Sequence, residues 1–320
     1  MQRRILLAAA LAAPAIARAQ ESWPDRPVTL IVPYAPGGSN DVVARLMSPG
    51  FAETFGGKAF PVENRAGGGG AVGMAAVARG RPDGHTLLVS SASNHIFNHF
   101  VVPNQGYDPR EALSAACMWV DVPNALVAHP SLGVSNVQEL LAKVRANPGL
   151  GFGSSGTGTS NHLAGELLKM RTGIDMTHVP YRGGGPLLND IVAGTVQVAV
   201  MNLPTVLPAI EGNRVRLLGL ATSERLRSRP SYPTIAEQGV EGYVVRSWTG
   251  LFAPHGTPRP ILDRLAETSR RLLDSANIRA RLTDLASEPI WMGPDETDAY
   301  VRSEWDRWGP IVRQAGVTNT

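Results

Sequence analysis

The stretch that decides the fold is VTLIVPYAPGGSNDVVARL, at residues 28–46. Its β-branched, apolar start at residues 28–32 is typical of a buried strand, and the Pro-Gly-Gly at 36–38 is typical of a sharp turn. Ser39, Asn40 and Asp41 are all good helix N-caps, so the stretch predicts a strand–turn–helix unit. Such a turn exposes backbone N–H groups at the positive end of a helix, where a carboxylate or phosphate is stabilised without a basic side chain.

A second stretch with the same chemistry reads Gly-Ser-Ser-Gly-Thr-Gly-Thr-Ser at residues 153–160. It follows the short run Gly151-Phe152 and precedes a helix that is predicted to begin at Ser160. Glycines and hydroxyl groups at a helix start again favour an anion-binding turn. Two such turns, in the two halves of the chain, predict a ligand that is held from both sides.

The first 19 residues have the pattern of a secretory signal peptide. Two arginines precede a short apolar core at residues 5–13, and Ala17-Arg18-Ala19 supplies a small-x-small cleavage site. The core is too short to span a bilayer permanently. The single cysteine, Cys117, lies far from the cleavage site and leaves no partner for an internal disulfide. We therefore expect cleavage after Ala19 and a soluble protein in the periplasm.

The charge of the chain argues against nucleic-acid binding. Three of the 30 basic residues and none of the 27 acidic residues lie in the predicted signal peptide, so the mature chain would carry 27 of each. No run of five or more basic residues occurs, and aromatic residues make up only 6%. A nucleic-acid-binding surface needs a concentration of positive charge that this chain lacks.

The order of the predicted elements indicates two α/β units. Strands alternate with helices, which favours parallel sheets with helices on both faces. One strand, Thr86 to Ser90, leads into Ser91 and Ser93 at its carboxyl end, the edge where ligands of open α/β sheets bind. The chain is expected to leave the first unit near residue 123 and to re-enter it near residue 248. The predicted domains are therefore 20–123 with 248–320, and 124–247, joined by two strands that serve as a hinge. Apolar residues at helical spacing in the tail predict helices packed on the first domain.

Several longer motifs resemble the Bug family, the periplasmic substrate-binding proteins of tripartite tricarboxylate transporters. The resemblance covers nearly all of the mature chain and is carried, in order, by residues 23–38, 62–67, 83–88, 107–109, 153–168, 178–183, 250–254 and 304–305. It implies a periplasmic binding protein of type II, the Venus flytrap, with two doubly wound α/β domains. It also implies that the protein captures a small carboxylate, hands it to membrane permease subunits and catalyses no reaction.

The two turns and the end of the third strand supply the candidate ligand-binding residues. In the family, one carboxylate is held by the turn after the first strand and the other by the Ser/Gly-rich turn of the second domain. The predicted ligand-binding residues are Tyr34, Gly37, Gly38, Ser39, Asn40, Asp41, Ser91, Ser93, Ser155, Thr157, Thr159, Ser160 and Asn202. Asp41 would repel an anion unless its side chain turns back on the helix, and one of the hydroxyl groups at 155–160 must cap the following helix.

One departure from the family bears on the ligand. The family commonly has a phenylalanine and an aspartate before Asn202-Leu203-Pro204, at a position that faces the cleft, and this chain has Val200 and Met201. Loss of the aspartate removes a partner for an ammonium group. We therefore expect a dicarboxylate or an aromatic carboxylate rather than an amino acid.

Other functions remain open at this stage. A serine hydrolase could use Ser155 with His162 or His178, but the sequence lacks a nucleophile elbow and a positioned acid. The protein could instead be the ligand-binding input of an extracytoplasmic sensor. His95 and His99 have the i, i+4 spacing of a metal pair, but no carboxylate or cysteine cluster accompanies them. We expect no metal, no cofactor and a monomer.

Overall fold

Most strands of the protein lead into a helix, as the alternating pattern predicts. A computed structural model describes residues 23–102, 105–314 and 316, and the predicted signal peptide lies outside them. The strands are β1 (Thr29–Val32), β2 (Val62–Asn64), β3 (Thr86–Ser91), β4 (Leu113–Ala128), β5 (Leu150–Ser154), β6 (Met176–Pro180), β7 (Val198–Asn202), β8 (Arg216–Leu220), β9 (Arg246–Pro254) and β10 (Glu288–Met292). The helices are α1 (Ser39–Thr54), α2 (Ala71–Ala78), α3 (Asn98–Val101), α4 (Pro109–Ala112), α5 (Val137–Ala146), α6 (Ser160–Thr172), α7 (Gly184–Ala193), α8 (Leu203–Glu211), α9 (Arg259–Asp274), α10 (Ala276–Asp284) and α11 (Pro294–Gln314).

The stretch at 28–46 forms the predicted strand–turn–helix unit, with one correction at the helix start. β1 is buried, and α1 begins at Ser39 with Gly38 as its N-cap. None of Ser39, Asn40 and Asp41 is therefore the N-cap. The reason is that Asp41, inside the first turn, reaches back and accepts a hydrogen bond from the N–H of Gly37 at 3.0 Å.

One long strand, β4, joins two sets of strands. Its residues 113–123 pair with β9, whereas residues 124–128 pair with β7 and β8. The strand order is β2-β1-β3-β9-β4-β7-β5-β6, and β8 and β10 also pair with β4. We call β1, β2, β3, β9, β10 and residues 113–123 the first half-sheet, and β5 to β8 with residues 124–128 the second half-sheet.

The sheet is mixed rather than parallel throughout. β1 is parallel to β2 and β3, and β5 is parallel to β6 and β7, as the alternating pattern predicts. The strands β4 and β9, however, run antiparallel to each other, and each runs antiparallel to its other neighbours. The prediction of parallel sheets is therefore right for the pairs among β1, β2 and β3 and among β5, β6 and β7, and wrong for the pairs that involve β4 or β9.

The C-terminal helices pack as the spacing of their apolar residues predicts. Trp305 and Trp308 of α11 are buried, and the ring of Trp308 meets that of Phe97 edge-to-face at 4.9 Å. α9 packs against β4 and α1, so the tail covers the first half-sheet. Among the residues described here, no helix combines the length and the hydropathy needed to cross a membrane.

Candidate ligand-binding site

A cavity lies where the carboxyl ends of β1, β3, β5 and β7 meet. The cavity, together with the solvent at its mouth, leaves about 550 Å³ free of protein atoms. Residues from the first half-sheet line one side, and residues from the second half-sheet line the other. The lining residues are Tyr34, Ala35, Pro36, Gly38, Ser39, Asn40, Ser91, Ser93, Ser155, Thr159, Asn161, Gly183, Gly184, Gly185, Asn202, Thr205 and Ser247.

Four helices begin at this cavity. Their N-caps are Gly38 for α1, Thr159 for α6, Gly183 for α7 and Asn202 for α8, and all four N-caps line it. Three of the four helices have no side-chain cap; only α6 is capped, by the Thr159 hydroxyl, which accepts from the N–H of His162 at 3.3 Å. The first N–H groups of a helix have no partner within it, and its N-terminal end carries partial positive charge. The cavity is therefore suited to an anion.

Among the described residues, the lining carries no charged side chain: it contains hydroxyl groups, amides, backbone, the ring of Tyr34 and the apolar side chains of Ala35 and Pro36. An anion there would be held by hydrogen bonds and helix ends, because no lysine or arginine lines the cavity to form an ion pair. An ammonium group, in turn, would find no carboxylate in the walls.

Asp41 supports the first turn from outside the cavity. Besides the N–H of Gly37, its carboxylate accepts hydrogen bonds from Asn64 Nδ2 at 2.9 Å and Arg45 Nε at 3.1 Å. Burial by itself would raise the pKa of Asp41, but the hydrogen bonds from Arg45, Gly37 and Asn64 outweigh burial and lower it. The side chain thus stays ionised and holds the shape of the turn.

The second turn is held by a chain of amides and hydroxyl groups. Ser155 Oγ donates to Asn161 Oδ1, and Asn161 Nδ2 donates to Asn124 Oδ1 at 2.7 Å. Asn124 in turn donates to the carbonyl of Val245 at 2.9 Å. The turn is thereby attached to β4, through Asn124, and to the residue that precedes β9, Val245.

One hydrogen bond ties the second turn directly to the first half-sheet. The N–H of Ser160, in the first turn of α6, donates to Ser93 Oγ at 2.9 Å. Close approaches occur nearby, since a Cβ on Gly69 would lie 3.2 Å from the carbonyl oxygen of Thr157. The two half-sheets are therefore in contact at this edge of the cavity.

Two histidines support the second turn through hydrogen bonds. The N–H of Gly158 donates to His162 Nδ1 at 3.2 Å, and His178 Nε2 lies 2.7 Å from Ser154 Oγ. Burial, and then His178 and Lys169, lower the pKa of His162 to about 3. Burial and Lys169 lower the pKa of His178 to about 4. Both rings are therefore neutral near pH 7, and Nδ1 of His162 is free to accept.

Tyr34 brings a buried hydroxyl group to the cavity. Its Oη is shielded from solvent and makes no hydrogen bond of good geometry with any described residue. Burial raises the pKa of Tyr34 to about 12, although the nearby hydroxyl groups of Ser91 and Ser93 partly offset this. A buried polar group without a partner is costly, so this hydroxyl is available to a ligand or a water.

The structure brings most of the predicted site residues together. Tyr34, Gly38, Ser39, Asn40, Ser91, Ser93, Ser155, Thr159 and Asn202 line the cavity. Gly37, Asp41, Thr157 and Ser160 do not line it. Thr157 lines a second cavity beside it, which we call the outer chamber. The ligand contacts of all thirteen stay a prediction.

Several lining residues were not predicted. Gly183, Gly184 and Gly185 precede Pro186 at the start of α7, and a glycine run before a helix is the same signal that located the first turn. Asn161, Thr205 and Ser247 line the cavity as well, without a comparable sequence signal. Met201, expected at a cleft-facing position, is fully buried in the core and does not line the cavity.

In the part of the chain that the structure describes, the nucleophile and the bases of the hydrolase alternative are not in contact. Ser155 donates to Asn161 and not to His162 or His178, and the serine that contacts His178 is the buried Ser154. Within the described residues, no group of three His, Cys, Asp or Glu side chains could hold a metal ion. His95 instead bonds Ser90 at 3.1 Å and packs against Phe252.

Solved structures of high similarity are those of periplasmic binding proteins. BugD is 30% identical, with a TM-score of 0.87 over 93% of this chain and 100% of that chain. Rpa4515 of R. palustris, solved with adipate, is 36% identical, with a TM-score of 0.89 over 92% of this chain and 98% of that chain. MatC of Rhodopseudomonas palustris, with bound malate, is 33% identical, with a TM-score of 0.84 over 91% and 100% of the two chains. The fold is thus that of a periplasmic solute-binding protein.

The sequence comparisons identify the family. The model for the tripartite tricarboxylate transporter family receptor, TctC, matches residues 43–317. Protein BugT of Bordetella pertussis is 34% identical over 310 residues, which cover 96% of this chain and 94% of that protein. The chain belongs to this family of solute-binding proteins, the Bug family, as its motifs indicate.

Proposed function

We propose that the protein is an extracytoplasmic receptor that captures a small carboxylate in this cavity without transforming it. The observation that carries the proposal is the convergence of four helix N-termini on a cavity without charged side chains. Adipate and malate in two similar structures support a carboxylate as the ligand. We further propose that the mature protein, exported by residues 1–19, delivers its ligand to the membrane subunits of a tripartite tricarboxylate transporter.

Hydrogen bonds and helix ends are strong enough for such a receptor. Micromolar binding requires about 8 kcal/mol. A hydrogen bond to a charged group contributes roughly 1.5–3 kcal/mol, and a helix end contributes ~0.3–1 kcal/mol, or up to ~2 in a buried site. Three or four such bonds to each of two carboxylates reach this range after the costs of association are subtracted. A monocarboxylate should therefore bind much more weakly.

The proposed domains follow the pairing of the strands. Residues 20–123 with 248–320 would form one domain, and residues 124–247 the other, with β4 and β9 as the hinge. The change of pairing partner at Pro123 and Asn124 supports this division. Each domain would then contribute at least one helix end to the ligand.

The proposed ligand class follows from the side chains that line the cavity. We propose a dicarboxylate or an aromatic carboxylate, because an amino acid would bury its ammonium group beside no carboxylate. Calorimetric titration tests this: tight binding of glutamate, with no binding of succinate-like acids, would contradict the proposed class.

A thermal-shift screen of carboxylates of graded length tests the function itself. A ligand that binds only the folded protein raises the melting temperature, by roughly 5 °C or more when it is present at about a hundred times its dissociation constant. Gly185→Leu should abolish the shift, since Gly185 lines the cavity and no heavy atom lies within 4 Å of its Cβ position. Lys143→Leu, on the exposed face of α5, is the matched control. A screen in which no carboxylate shifts the wild-type protein would refute the proposal.

A further inference from the structure

The outer chamber adjoins the cavity described above. The two share Tyr34, Ala35, Ser155 and Gly183, and the empty space in the outer chamber is about 1300 Å³. A molecule whose head is bound in the inner cavity could therefore extend past these four residues into the outer chamber, which is open to solvent.

A glycine turn places the ring of Tyr34 between the two spaces. A Cβ on Gly70 would lie 3.5 Å from Tyr34 Cζ and only 2.8 Å from Asn94 Cβ, and Gly70 has a φ of +106°. A larger residue would therefore clash with Asn94 and strain the backbone. The turn at 67–70 thus forms a wall of backbone along one side of the outer chamber.

The other walls are mainly apolar and contain a single charged side chain. Ala66 directly precedes the glycine turn in the chain, and Val102, Pro180 and Tyr181 also line the chamber. The charged residue is Arg182, which is exposed and makes no hydrogen bond or ion pair with any residue that the structure describes. The N–H of Tyr181 donates to the carbonyl of Ser154 at 3.0 Å, which places Arg182 beside the turn that carries Ser155.

We infer that the ligand is an elongated organic acid with a carboxylate at each end. One carboxylate occupies the inner cavity at the helix ends, the apolar body lies in the outer chamber, and the second carboxylate pairs with Arg182. A guanidinium group binds a carboxylate through two parallel hydrogen bonds, which makes Arg182 a specific partner for that end. This inference rests on the proposed function, adds the length of the ligand, and assigns its second carboxylate to Arg182 instead of to a second helix end in the inner cavity.

Calorimetric titration with suberate and its monomethyl ester tests the role of Arg182. The two differ at one end only, where a neutral methyl ester replaces the charged carboxylate, so the wild-type protein should bind suberate about tenfold more tightly. Arg182→Gln should remove this difference and leave the affinity for succinate within twofold of the wild type. Arg214→Gln, which changes an exposed arginine outside both cavities, should behave as the wild type.

A second variant tests the path of the apolar body. Ala66→Trp places a large ring in the outer chamber at a residue that does not line the inner cavity, and it should weaken suberate at least tenfold but leave succinate unchanged. Equal affinities for suberate and its half-ester in the wild type, or equal losses for succinate and suberate in Arg182→Gln, would overturn the inference. If succinate binds and suberate does not, the inference fails and the proposed function stands. If no carboxylate of any length binds, the proposed function fails.

Discussion

The imidazole rings of His162 and His178 lie face to face, with centroids 3.6 Å apart and planes 9° from parallel. Phe152 packs beside the pair, with its ring centroid 5.2 Å from that of His178, and the nearest charged groups are Glu166, 3.8 Å from His162 Nε2, and Lys169. Stacked rings at this distance repel each other once both are protonated. The pair that supports the second turn is therefore sensitive to acid.

We expect the protein to lose stability as the pH falls from about 6.5 to about 4. The pKa of each histidine is 6.5 in an unfolded chain, and in the folded protein it is about 3 for His162 and about 4 for His178. Between these values the unfolded chain binds more protons, so the free energy of unfolding decreases with decreasing pH and is fully retained above 6.5. Thermal melts from pH 7.5 to 4.5 measure this loss.

Variants assign the pH dependence to the stacked pair. The double variant His162→Asn/His178→Gln should show a shallower fall in melting temperature over this range, although buried His95 also contributes to the fall. His255→Asn, at an exposed position, serves as the control. A slope that is the same in the double variant and the wild type would contradict this assignment.

Tyr34→Phe should weaken ligand binding without destabilising the free protein. The hydroxyl group of Tyr34 lies near the hydroxyl groups of Ser91 and Ser93 but makes no hydrogen bond of good geometry with a described residue, so its removal should cost the unliganded protein little. A bond from it to a carboxylate would be worth roughly 1.5–3 kcal/mol, which corresponds to a loss of affinity of about tenfold or more. Calorimetry and thermal melts together check both statements, with Tyr232→Phe as the control. Unchanged affinity would show that the hydroxyl group does not contact the ligand.

Asp41→Ala should destabilise the protein by ~1–3 kcal/mol, because it removes the acceptor of hydrogen bonds from Gly37, Asn64 and Arg45. Affinity should fall as well, since the first turn loses its support. Arg45→Gln removes a mostly exposed partner and should cost less than ~1 kcal/mol. Urea unfolding of the two variants gives the comparison, and equal losses would be evidence against a special role for the carboxylate.

Gly165→Ala should lower the melting temperature even though alanine is the better helix former. The gain in helix propensity is about 1 kcal/mol. The added Cβ, however, would lie 2.0 Å from Cε2 of Phe152, a fully buried ring, and overpacking of this kind costs about 1–3 kcal/mol. Gly293→Ala, where the added Cβ meets only ordinary contacts at 3.6 Å, should have little effect. A higher melting temperature for Gly165→Ala would mean that the Phe152 ring can move.

Local patterns in the sequence predict the two turns and most helices well. α6 begins at Ser160, as predicted, since the hydroxyl group of Thr159 caps its first turn. The turns at 35–41 and 153–160 both contribute residues to one cavity. They could be predicted because a glycine run before a helix is a local signal in the sequence. These features depend on residues close together in the chain.

The parts that were missed depend on contacts distant in the chain. Residues 113–120 of β4 are buried on both faces, so they lack the alternation that marks a strand, and Pro123 within β4 argues against one. Met201 was misplaced because which face of β7 meets the cavity depends on the packing of its neighbours. Ser247 and Thr205 reach the cavity only through the pairing of β9 with β4 and the direction of α8.

The length of β4 has a consequence for how the molecule unfolds. The 16 residues of β4 pair with strands of both half-sheets without a break. Neither half-sheet can therefore lose its part of β4 without disrupting strand pairing in the other. A fragment cut at residue 123 would leave strands without their β4 partner and would therefore not form a folded unit. Heat or urea should accordingly melt the whole protein in a single cooperative step, whatever freedom the two halves have to bend.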